Sequence, residues 1–120
     1  MSYKDPAKDA ASKKAWYLRN KEKVLRARDE YKARVLRWYE EYKQSLSCEA
    51  CGESDPACIE FHHKDPSEKE FVISQAARAG YSKARLLAEM AKCHVLCSNC
   101  HRKAHAGSLP QYAPVTQLAE

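Results

Sequence analysis

Leu96-Cys97-Ser98-Asn99-Cys100-His101-Arg102-Lys103-Ala104-His105 sets a Cys-x2-Cys knuckle directly against a His-x3-His pair. A second knuckle, Cys48-Glu49-Ala50-Cys51, lies upstream, and Phe61-His62-His63-Lys64-Asp65-Pro66 falls between the two. The thiolates of each knuckle converge on one ion. Two knuckles far apart in sequence therefore pin two chain segments together, with Cys48, Cys51, Cys97 and Cys100 as a tetrahedral structural zinc site. Four sulfurs complete that ion's shell and leave His62, His63, His101 and His105 without a structural purpose. A short helix over Cys100 to His105 puts His101 and His105 on one face at i and i+4, the spacing at which two imidazoles reach one ion.

Disulfides would need an oxidising compartment. Residues 1–20 carry Lys4, Lys8, Lys13, Lys14 and Arg19 with no apolar run, so neither secretion nor a membrane span is expected, and a reducing cytoplasmic setting favours metal-held thiolates. Cys58 and Cys93 have no knuckle partner and read as packed, inert thiols, and His94 as structural or exposed. With short apolar clusters and 9% aromatic residues, the central segment depends on its zinc for stability.

Charge is divided unevenly. Residues 1–47 hold 13 Lys/Arg against 7 Asp/Glu, whereas residues 48–120 hold 8 against 9. No Gly or Pro interrupts Lys8 to Leu46, where Ala, Leu, Arg, Lys and Glu dominate, so residues 1–46 read as a basic helical arm. Its density of cations suits phosphate contacts, with Arg19, Arg26 and Arg34 as the arm's candidate nucleic-acid ligands. The plain alternative is a solvated helix laced with Glu and Asp partners. Tyr17, Val24, Tyr31 and Trp38 recur every seven residues, and Val35 and Tyr42 extend the stripe, which predicts docking against the zinc domain or a second copy of the helix. Both a monomer and a homodimer stay open.

Past the arm, Ala57 to His62 alternates as a short strand, and Phe71-Val72-Ile73 reads as a second extended piece. Ser82 is the expected N-cap of a helix over Lys83 to Lys92 that buries Leu86, Leu87 and Met90. Residues 47–107 form the metal domain, and residues 108–120, with Pro110 and Pro114, read as a loosely ordered tail.

Over residues 48–105 these motifs resemble the HNH endonucleases, the His-Me finger family with a ββα-metal fold. The histidine arrangement is similar to colicin-type DNases, and the cysteine frame to small phage-encoded HNH nucleases. The resemblance implies a small α+β fold: a ββα-metal core stapled by four cysteines and preceded here by a long basic N-terminal helix. By position it implies His63 as the general base that activates water, with His62, His101 and His105 holding a catalytic divalent ion. It further implies DNA hydrolysis to 5′-phosphate and 3′-hydroxyl ends, in a bacterial cytoplasm during phage infection, beside a phage terminase or as a mobile-element enzyme. Hydrolysing a phosphodiester requires a deprotonated water and charge neutralisation at phosphorus, which suits these residue types. Magnesium or manganese is the expected ion, although imidazoles also attract nickel, cobalt or zinc. Arg102 and Lys103, between the helix histidines, are candidate contacts to neighbouring phosphates. In relatives an Asn five residues before the second knuckle orients the loop bearing the base. Here that position is Lys92, so another group, such as Asn99 or a backbone carbonyl, must orient His63. The alternative of another class is a non-catalytic zinc-finger adaptor that binds DNA or protein.

Overall fold

The computed structural model describes residues 5–115. Two compact units divide the chain, Met1–Tyr31 and Lys32–Glu120. Helix α1 (Pro6–Gln44) makes up the first unit from Pro6 onward and contributes its last turns to the second. Asp5 starts it: the carboxylate accepts the Ala7 N–H at 3.0 Å, and the fixed φ of Pro6 suits a first helical turn. Within the first unit Trp16, Tyr17, Leu18 and Tyr31 are exposed.

The second unit continues through β1 (Ile59–His63), α2 (Ile73–Ala79), α3 (Lys83–Met90), β2 (Cys93–Cys97) and α4 (Ser98–Ala106). It is a small α+β fold whose two-stranded sheet is flanked by helices. The strands are antiparallel, with Phe61 opposite Val95, His62 opposite His94 and His63 opposite Cys93. Because successive side chains on a strand point to opposite faces, this short sheet serves two layers. Glu60 and His62 meet α4, whereas Phe61 packs with Tyr39 into the cluster formed by α1, α2 and α3.

That cluster is the main core, centred on Val35, Tyr39, Ile73, Ala77, Leu86 and Met90. The heptad stripe is only partly covered: Val35 is buried with Trp38 and Tyr42 packed beside it, while Tyr17 and Tyr31 are exposed. The burial does not follow the spacing: Tyr31, Val35 and Tyr39 are themselves successive i, i+4 positions, and the covered residues are those of the second unit, packed with α2 and α3, whereas Tyr17 and Tyr31 belong to the first.

Three further expectations change. Phe71-Val72-Ile73 is not a strand; Ile73 opens α2, whose buried residues Ile73, Ala76 and Ala77 follow helical i, i+3, i+4 spacing. Ser82 does cap α3, its hydroxyl accepting the Arg85 N–H at 3.2 Å, and Leu86 and Met90 are buried, but Leu87 is 41% exposed. Residues 108–115 are not loose. Pro110–Tyr112 form a 3₁₀ turn, Leu109 and Tyr112 pack on a second small core around Cys97 and Cys100, and the Val115 N–H donates to the Lys64 carbonyl at 3.1 Å. These apolar anchors outweigh the prolines read as breakers; the remaining tail, 116–120, lies outside the described residues.

Cys93 is buried in the main core, and burial pushes its thiol up from 9.0 to about 11. A raised thiol is protonated below its pKa, and only the thiolate reacts. At pH 8 alkylation of Cys93 by iodoacetamide in the folded protein should run about 100-fold slower than at an unshifted thiol, rising only as pH approaches 11. Peptide mass spectrometry checks this, and rapid labelling at pH 8 would contradict the packing.

Candidate metal centres and the histidine site

Both knuckles are built by the backbone before any ion is considered. The Cys51 N–H donates to Cys48 Sγ at 3.5 Å and the Cys100 N–H to Cys97 Sγ at 3.4 Å, so each first sulfur caps the turn that delivers the second. Gly52, at φ 84°, supplies the left-handed residue that turns the first knuckle back. The second knuckle starts α4, with Cys97 as its N-cap. The four sulfurs lie within 4.8 Å of one another, and Cys51 and Cys97 approach to 3.7 Å. A zinc–sulfur bond of about 2.3 Å in a tetrahedron separates sulfurs by about 3.8 Å. No disulfide joins any of the six cysteines, and Cys58 packs beside the cluster without joining it.

The electrostatics of this group favour a cation. Burial raises Cys48, yet hydrogen bonds from the Cys97, Cys51 and Ala50 backbone outweigh it and bring the thiol to about 6. Burial and its sulfur neighbours instead push Cys100 up to about 12. Four clustered thiols cannot all ionise against one another, and a divalent ion removes that conflict. The donor set fits structural zinc.

A separate group gathers His62, His101 and His105, whose ring nitrogens lie within 4.8 Å of one another. The ring centroids are 4.9, 4.9 and 5.0 Å apart. His62 comes from β1, at 1% exposure; His101 and His105 come from one face of α4 and lie progressively nearer solvent. Burial, with the neighbouring histidines, lowers the pKa of His62 and His105, which keeps neutral lone pairs available near pH 7. Two rings are also held from behind. His62 Nε2 lies 2.6 Å from the Tyr112 carbonyl oxygen, which can only accept, so the ring donates there and keeps Nδ1 as its lone-pair nitrogen. His101 Nδ1 lies 2.9 Å from Glu60 Oε1, which leaves Nε2 for a ligand. Such outer partners are what orient histidines in metal sites. The residues fit a divalent ion.

The Tyr112 contact makes the C-terminal turn part of the site. Ending the chain after Leu109 should weaken manganese or nickel binding at the histidines by about 10–100-fold. Titration of the zinc-loaded protein measures this, with the thiolate absorption of a cobalt-substituted sample as control for the cysteine site. Unchanged affinity would show that the carbonyl orients nothing.

His63, next in the chain, is set on the other side. Its Nε2 lies 3.0 Å from Glu89 Oε2, and the ring borders a cleft of about 350 Å³ shared with Tyr39, Lys43, Glu60 and His101. The four candidate histidines thus separate into three that converge and one, His63, that turns away. Asn99 sits within the second knuckle on α4, and the residue that touches His63 is Glu89, which sequence reasoning missed. Arg102 and Lys103 are exposed on α4; Arg19 and Arg26 are exposed in the first unit, and Arg34 in the second. His94 bonds Glu49 at 3.2 Å, a structural role.

The core is therefore a ββα unit in which a four-cysteine cluster and a histidine triad are geometrically consistent with an HNH, or His-Me finger, metal site. No protein-family model matches the chain, and comparison with curated proteins and with solved structures returned no match. No helix among the described residues is long and apolar enough to cross a membrane.

Proposed function

We propose that this protein is a metal-dependent HNH endonuclease that hydrolyses DNA phosphodiester bonds. The observation that carries this reading is the division of labour in one ββα unit: four sulfurs form one ligand group, three imidazoles form another, and His63 stands beside the second without joining it. A purely structural zinc module has no use for the second group.

In the proposed reaction His63 takes a proton from water as the water oxygen bonds to phosphorus and the bond to the 3′ oxygen breaks. His62, His101 and His105 would hold a divalent ion, which would supply charge neutralisation at the phosphate, and the departing 3′ oxygen takes its proton from solvent water. Lys43 and Lys69 border the cleft beside His63 and add positive charge where a DNA backbone would lie. Residues 1–46 provide the basic grip, with Arg19, Arg26 and Arg34 as phosphate contacts, and Arg102 and Lys103 serve the same role near the site. Magnesium or manganese is the working ion, and DNA the partner.

The experiment is conversion of supercoiled plasmid to nicked or linear forms with magnesium or manganese, with EDTA as control. Metal-dependent nicking supports the enzyme. A mobility shift without nicking would instead establish a zinc-containing binding adaptor.

A further inference from the structure

Glu89 is 1% exposed yet carries a full set of hydrogen bonds. Oε2 accepts from the Glu70 N–H at 3.0 Å and meets His63 Nε2 at 3.0 Å; Oε1 accepts from Lys92 Nζ at 2.8 Å. Burial alone would raise this carboxyl, but the bonds from Lys92, the Glu70 amide and His63 outweigh it and hold it at about 2. It is a carboxylate at neutral pH, and a carboxylate only accepts. The proton on the neutral His63 ring therefore sits on Nε2, and Nδ1 is left as the lone-pair nitrogen.

The same network braces the loop that follows the histidine. The Lys64 N–H donates to the Lys92 carbonyl at 3.0 Å, and Lys92 Nζ donates to the Glu68 carbonyl at 3.0 Å while pairing with Glu70 at 3.5 Å. Glu89 and Lys92 lie three residues apart across the end of α3, so one helix end grips both the imidazole and the loop.

We propose that Glu89 is the positioning residue of His63: its buried carboxylate, clamped by Lys92, fixes the Nε2–H tautomer and directs Nδ1 as the proton acceptor for the attacking water. This replaces the orienting Asn of the resembling nucleases with a histidine–carboxylate dyad. Its kinetic consequence rests on the nuclease reading, whereas the pairing itself does not. A dyad of this kind acts through tautomer and orientation, which in serine proteases is worth several powers of ten in rate when lost.

The test has two arms on the full chain. Nitrogen-15 spectra of histidine-labelled protein should show neutral His63 protonated at Nε2, and Glu89→Ala should replace that signature with a tautomer mixture. Wild-type His63 protonated at Nδ1, or an Ala variant with the signature unchanged, overturns the assignment. In plasmid nicking, Glu89→Gln and Glu89→Ala should lower kcat on the order of 100-fold with KM for DNA changed less than about twofold, and Glu89→Asp should recover part of the loss. If Glu89→Ala does not fold, the wild-type spectrum and the Gln variant still decide. A kcat unchanged in the Gln variant overturns the positioning role. Absence of nicking by the wild type defeats the nuclease reading alone, and the spectra then settle the pairing.

Discussion

Removing zinc from the protein with a strong chelator should abolish the cooperative fold of residues 32–115. The metal domain has one modest core around Leu86 and Tyr39, and a second whose members include Cys48, Cys97 and Cys100 themselves. Without the ion, that second cluster becomes four thiols with conflicting proton demands, Cys48 near 6 and Cys100 near 12, around little apolar surface. Structural zinc typically contributes roughly 10–16 kcal/mol of apparent binding free energy at neutral pH, against a net stability of about 5–15 kcal/mol for a whole domain. The loss exceeds what packing can replace. Near-ultraviolet dichroism and a denaturant melt, with and without chelator, measure it, and Cys97→Ser should behave like the chelated wild type. A sharp unfolding transition that survives chelation would show that the thiolate cluster is not a structural centre.

The second large effect is catalytic. His63→Ala should reduce plasmid nicking by about 10²–10⁴-fold, the range that a positioned general base contributes, while leaving metal affinity at the His62, His101 and His105 cluster within about twofold. The two readouts separate because His63 bonds Glu89 on the opposite face of β1 from the triad. His62→Ala should do the reverse, weakening metal binding first and activity as a consequence. Nicking retained in the His63 variant would remove that residue as the base; metal affinity lost in it would place the ring in the coordination sphere.

How much of this was legible depends on the range of the signal. Cys-x2-Cys and His-x3-His are local patterns whose geometry is set within one turn, so the four sulfurs and the His101/His105 pair could be read from spacing, whereas His62, which joins that pair across the fold, entered only through the family resemblance. The first strand and the last helix followed, because alternation around His62 and the helix after Cys97 are also local, whereas β2 (Cys93–Cys97) escaped a pattern that put the second extended piece at Phe71–Ile73. Glu89 could not be read that way: it reaches His63 across 26 residues, and a lone acidic residue on a helix ordinarily signals solvent. The Tyr112 carbonyl is a backbone group and carries no sequence signature. Helix α2 left no such signal: Ala76 and Ala77, though buried, bring too little apolar weight to reveal a helical period, and Phe71-Val72-Ile73 beside them reads as extended although Ile73 opens the helix. The orienting group for His63 was left open from sequence, and tertiary contact alone supplied it.

His62 and His63 owe their separate surroundings to parity along β1. With His62 facing His94 and His63 facing Cys93 across the ladder, inserting or deleting a single residue ahead of the pair would turn each ring to the opposite face, so that one takes the other's place and the second is carried past both the ion site and the carboxylate. Such a frameshift in space would silence coordination and proton transfer together while sparing both sulfur knuckles. The pair is therefore as intolerant of a change in strand length as of the loss of either ring.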